Sequence, residues 1–130
     1  MTSDPIERTE AIRKLNEQAR SNPGIACRAN ITIGFQSLSE ADRIGALSQI
    51  VAFSNFTGDN DPHGEQDFGA VYRLPSGEWS QHRPEDDKQI SKTVFWKIDY
   101  YDNALELGSD CPWDSTKTTR VMTIMLASEY

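Results

Sequence analysis

The chain has 130 residues, 37% apolar and 25% charged, with a net charge of −7. These values fit one folded domain with its own core and exclude a disordered chain. Excess negative charge repels phosphate backbones, so direct nucleic-acid binding is not expected.

The opening "MTSDPIERTE" is polar and lacks an apolar h-region, so it does not read as a secretory signal. No apolar run approaches the ~18 residues of a membrane helix, and no membrane association is expected. Cys27 and Cys111 are far apart and outside any CxxC, which reads as two free thiols in a cytoplasmic protein.

Ser3 or Asp4 can cap a first helix, with Pro5 at its first position. Ile6, Ile12, Leu15 and Ala19 give that helix one thin apolar stripe, and "NPG" at 22–24 stops it. Residues 1–23 are therefore expected as a peripheral helix on a core of residues 24–130, the whole chain forming a single domain. From Ile25 to Phe35 the alternation is strict, with Ile25, Cys27, Ala29, Ile31, Ile33 and Phe35 on one side. Period two over that length predicts a half-buried strand.

"SEAD" at 39–42 is a capping-box variant. Ala41, Ile44, Leu47, Ile50, Val51 and Phe53 follow at helical spacing, a wide apolar face suited to a sheet. Beyond it the pattern turns to β. "DFGAVYRL" reads as a strand, "PSGE" as a hairpin turn and "WSQHR" as the return. "PEDDKQIS" reads as a charged loop. "KTVFWKIDYY" alternates Val94, Trp96, Ile98 and Tyr100 against Phe95, Lys97, Asp99 and Tyr101. After a turn-rich loop, "VMTIML" is apolar on both faces, as an interior strand requires. The expected fold is α+β: a mostly antiparallel sheet of about five strands with two helices, mainly on one face.

Charge is uneven along the chain. Residues 1–36 carry five basic and four acidic side chains, and residues 37–67 carry one and six, a net of −5. That acidic segment ends in "FTGDNDPHGEQDFG", where Asp59, Asp61, His63, Glu65 and Asp67 fall on every second residue.

"FTGDNDPHGEQDFG", "FWKIDYYD", "GSDCPWD" and "TTRVMTIMLASEY", in that order, resemble the hallmarks of domain of unknown function 3768, a bacterial family often found on mobile elements. The resemblance runs from about Gly24 to Tyr130. It implies no activity, but it does imply a mobile-element setting. The family pattern places histidine where this chain has Gln66, and usually an aromatic where it has His63. A catalytic role for that family histidine is therefore not implied here.

Four kinds of chemistry are open to these residues. "DNDPHGEQDFGA" follows an EF-hand register, but Ala70 stands where a bidentate glutamate belongs, and a strand rather than a helix follows. A looser cation site would use Asp59, Asp61, Glu65 and Asp67. A metal-dependent hydrolase would use Glu65, Asp67 and Asp99 with His63 and Lys97, provided that their strands are neighbours. Against it, Lys97 and Asp99 also suit a local ion pair on a solvated face. Cys111 with His82 lacks any nucleophile motif, and no P-loop, G-x-S-x-G or dinucleotide glycine pattern occurs. Trp96 and Tyr100 read as core, whereas Trp79 and Trp113, in turn-rich stretches, would anchor a protein contact if exposed.

The favoured expectation is structural. "DNDP" suits Asx-turns, and buried carboxylates would tie the corner to "FWKIDYYD" through Lys97 and the tyrosine hydroxyls. The expected function is a non-enzymatic interaction protein without a cofactor, which binds a basic protein surface or a nucleic-acid-binding protein. Its expected partner-binding residues are Asp59, Asp61, Glu65, Asp67, Trp79 and Trp113. The rival expectation is the metal-dependent hydrolase with a divalent cation.

Overall fold

The structure, a computed structural model, describes residues 4–130. Ser3, one of the two expected caps, lies outside them. Asp4 takes the role, accepting the Ile6 N–H at 2.9 Å, and Pro5 opens helix α1 (Pro5–Ser21). The thin stripe of α1 buries Ile12 and Ala19, together with two polar residues, Asn16 and Arg20. Arg20 donates from Nη1 to the carbonyls of Ile50 and Val51 at 3.1 and 2.9 Å. These end helix α3 (Glu40–Val51), where a cation meets the negative end of the helix dipole.

The long strand expected over residues 25–35 is corrected. Strand β1 covers only Arg28–Ile31 and a helical turn, α2 (Ile33–Gln36), follows at once. Thr32 breaks the strand by accepting the Phe35 N–H on its hydroxyl at 3.3 Å. The Glu129 carboxylate holds this junction, accepting from the Thr32 hydroxyl at 2.7 Å and the Gly34 N–H at 3.0 Å. Period two is thus present in the sequence, but local capping wins over half of it.

Ser39 caps α3 by accepting the Asp42 N–H at 3.1 Å, as "SEAD" predicts. The remaining strands are β2 (Phe68–Arg73), β3 (Trp79–Ser80), β4 (Lys92–Tyr101) and β5 (Thr119–Leu126). Gly77, with φ +94°, makes the hairpin turn between β2 and β3. The sheet order is β1-β5-β4-β2-β3, antiparallel except for the parallel pair β1–β5. Fold class and sheet size agree with the sequence expectation, and α2 is one helix more.

The core lies between the sheet and helices α1 and α3. Phe35, Ala46, Ile50 and Phe53 meet Val71, Val94, Trp96, Ile98, Met122 and Ile124 there. Phe53, Phe56 and Trp96 pack edge to face at centroid distances of 4.9, 5.5 and 6.1 Å. The other sheet face carries Phe68 and Phe95 under Tyr130, and the polar Lys97, Asp99 and Thr123. Among the described residues no helix is long and apolar enough to cross a membrane.

Candidate functional site

The segment between α3 and β2 forms a corner whose turns are made by side chains. The Asn60 carbonyl oxygen accepts the Thr57 N–H at 2.7 Å, and the Thr57 hydroxyl accepts the N–H groups of Asp59 and Asn60 at 3.2 and 3.3 Å. Asp61 Oδ1 accepts the Gln66 N–H at 3.1 Å. The expected Asx-type bonding is present, carried by Thr57, Asn60 and Asp61. Gly64 and Gln66, with φ +70° and +55°, bracket Glu65. Two left-handed residues so close turn the Glu65 side chain toward Tyr100, while it stays partly exposed.

Inside the corner lies a polar junction of four side chains. The Tyr100 hydroxyl donates to Glu65 Oε1 at 2.8 Å. Asn16 Nδ2 donates to that hydroxyl at 2.8 Å and to the Glu65 carbonyl at 2.9 Å. Arg120 Nε donates to Asn16 Oδ1 at 2.8 Å, and Arg120 Nη2 to the Pro112 carbonyl at 2.6 Å. The guanidinium also lies 5.0 Å from the Tyr100 ring centroid. Burial pushes the Tyr100 phenol well up, so it stays protonated and serves as the donor. Burial likewise lowers the Arg120 pKa, partly offset by Tyr100 and Glu65. This junction joins α1, the corner, β4, β5 and the loop before β5.

Outside the corner, Asp59 and His63 are exposed, and Asp61 and Asp67 are partly exposed. Burial raises the Asp67 pKa first, and the charges of Glu65, Asp61 and Asp99 raise it further. Among the described residues none of Asp59, Asp61, Glu65 and Asp67 forms a salt bridge. Ion pairs among the described residues include Arg73–Asp42, Arg83–Asp87 and Lys97–Asp99.

The sequence set a condition for a catalytic cluster: neighbouring strands carrying Glu65, Asp67, Lys97 and Asp99 to one place. The strands are neighbours, but the register pairs Phe68 with Lys97. Lys97 and Asp99 therefore lie on the open face, where they pair with each other at 2.8 Å. Asp67, one residue before Phe68, falls on the other side by the pleat. Glu65 is there too, with Tyr100. Among the described residues no group of three or more His, Cys, Asp or Glu side chains is placed to hold one metal ion.

Three expectations for single residues change. Glu65, expected as a partner contact, is taken up internally by Tyr100. Lys97, expected to tie the corner to β4, pairs instead with Asp99. Trp79, expected as a surface anchor, is 8% exposed and donates from Nε1 to Asp42 Oδ1 at 3.1 Å. Trp113 is half-buried beneath the Arg8 guanidinium, 4.0 Å from the ring centroid. Cys27 and Cys111 are free thiols, and burial raises the Cys27 pKa.

Asn16 and Arg120 were not singled out from sequence. The available signal was one polar residue inside the stripe of α1 and one cation in a strand otherwise apolar or hydroxyl-bearing. A family model matches residues 31–129. The chain belongs to that family, described as Protein of unknown function (DUF3768). The matched span holds Glu65, Tyr100 and Arg120, whereas Asn16 comes from the helix before it. No curated protein and no solved structure matches the chain.

Proposed function

We propose that this protein is a non-enzymatic binding domain whose acidic corner docks on a basic protein surface. One observation supports the reading above others: the outer carboxylates Asp59, Asp61 and Asp67 stand on a hydrogen-bonded backbone, and none of the three forms a salt bridge among the described residues. A fixed, unneutralised charge costs little further ordering entropy when a partner arrives. Burial first, and then the charges of Glu65, Asp61 and Asp99, raise the Asp67 pKa, and a docking lysine or arginine would offset the second of these.

The contact residues are Asp59, Asp61 and Asp67, with His63 at the rim. Glu65 supports them from inside. The partner is a protein whose basic groove ordinarily holds nucleic acid. A cytoplasmic inhibitor carried by a mobile element, directed at such a host complex, is the concrete form of the proposal. Capture from a bacterial lysate, with the wild type and a chain carrying Asp59→Asn, Asp61→Asn and Asp67→Asn, tests it. A basic protein retained by the wild type, lost by the variant and released by salt is the expected result. Equal retention by both chains would contradict the acidic-corner mechanism.

A further inference from the structure

The sheet face turned away from the helices carries a cavity of about 460 Å³ across β1, β5 and β4, walled on one side by Tyr130. Register fixes its floor. Thr123 pairs with Lys97 on one side and with Asn30 on the other. Ammonium, hydroxyl and carboxamide therefore stand in one row over three strands, spaced by the roughly 4.8 Å between neighbouring strands. Val121 and Met125 lie two residues to either side of Thr123 and make the floor apolar there. Along β4 the same face carries Phe95, Lys97, Asp99 and Tyr101. The Tyr130 ring stands over Phe95 with centroids 5.6 Å apart, so a phenol stands at each end of the row of side chains.

Some of the lining groups are already engaged. The Glu129 carboxylate accepts from the Thr32 hydroxyl and from the Gly34 and Leu126 N–H groups. Lys97 Nζ pairs with Asp99 Oδ2 at 2.8 Å, which leaves two ammonium hydrogens and Asp99 Oδ1 unused by that bond. In contrast, the Asn30 carboxamide and the hydroxyls of Thr123, Tyr101 and Tyr130 make no side-chain hydrogen bond among the described residues. Thr123 decides the matter. It is 8% exposed and lines the cavity, yet its hydroxyl has no partner there. A polar group so deep in a folded chain ordinarily has one.

We propose that this cavity binds a neutral saccharide of one or two rings. An anion would have to draw Lys97 away from Asp99, and a cation would have to draw Asp99 away from Lys97. A sugar hydroxyl bonds to both at once, accepting from Nζ and donating to Oδ1. The Asn30, Thr123 and tyrosine groups each donate and accept, as sugar hydroxyls do. Val121, Met125 and the tyrosine rings give the C–H face of the sugar an apolar surface. A largely apolar lining with a few convergent polar groups, in a volume of roughly 300–1,000 Å³, is the usual make-up of a small-molecule site. The cavity is open to solvent and each bond formed replaces one to water, so a dissociation constant on the order of 1 mM is expected.

Amide NMR titration of the full chain with glucose, galactose, mannose, maltose and lactose, each to about 100 mM, tests the proposal. At least one sugar should shift the amides of Asn30, Lys97, Asp99 and Thr123 to saturation and leave those of Asp59 and Asp61 in place. Thr123→Val and Tyr101→Phe each remove one hydroxyl and keep the side chain's shape. Each should weaken that sugar about 3- to 10-fold, and the spectrum itself shows that the variant is folded. The chain carrying Asp59→Asn, Asp61→Asn and Asp67→Asn should bind the sugar as the wild type does, because the corner takes no part. Absent or unsaturable shifts with every sugar overturn the proposal. So does sodium sulfate that moves the same amides more strongly than any sugar. Affinity unchanged in both hydroxyl variants, or lost in the corner variant, overturns it as well.

Discussion

Asp59 and Glu65 lie in one short acidic stretch and do opposite things. Glu65 is turned inward between two left-handed residues and bonded to Tyr100, beside a buried arginine held through Asn16. Asp59 stands in solvent, with its backbone fixed by Thr57. The difference teaches that a run of carboxylates is not one feature. One member is used up in fixing the corner, and the others keep a charge that can be felt outside. The inner junction makes the outer charges well placed, because buried hydrogen bonds tolerate little displacement.

The strongest way to break this division is to remove Arg120. Arg120→Ala leaves Asn16 Oδ1 and the Pro112 carbonyl without their donors and Glu65 without its nearby cation. Each part-buried or buried acceptor left without its donor costs about 1–3 kcal/mol, so urea unfolding should show a drop of about 2–6 kcal/mol. A smaller effect would mean that the junction is not the support described. Tyr100→Phe is milder, keeping the ring beneath Arg120 while removing the bridge between Asn16 and Glu65. A loss of about 1–3 kcal/mol is expected, together with faster amide exchange at Gln66 and Asp67. Unchanged exchange there would detach the outer carboxylates from the inner network.

Much of the fold was legible in the sequence, whereas the division between Glu65 and the outer carboxylates was not, and the illegible part has physical causes. The caps at Asp4 and Ser39 were readable because capping needs only local chemistry. Strand β4 was readable because its two faces differ so clearly. Strand β1 was misjudged in length because Thr32 and the distant Glu129 together favour a helical turn, and the second of these contacts spans nearly the whole chain. Register was the deeper loss. Whether Asp67 or Phe68 faces Lys97 differs by one residue, and that single step decides whether the carboxylates converge. The junction was only half visible, since Asn16 and Arg120 are 104 positions apart and meet only in the fold.

The account rests on outer carboxylates that are held still and left without a cation, and Asp67 reports on both. Its folded pKa lies above the ordinary 3.8, so the folded state holds the proton more tightly. Stability therefore falls as pH rises from 3.8 through the raised value, and Asp67→Asn should be more stable than the wild type at neutral pH and lose that gain below 3.8. The most direct measurement is the NMR titration of the Asp67 side-chain carboxyl in the free protein. A midpoint clearly above 3.8 that moves down with Glu65→Gln is the predicted result. A midpoint at or below 3.8 would show that burial and neighbouring carboxylates do not act on Asp67 as described, and would contradict the account.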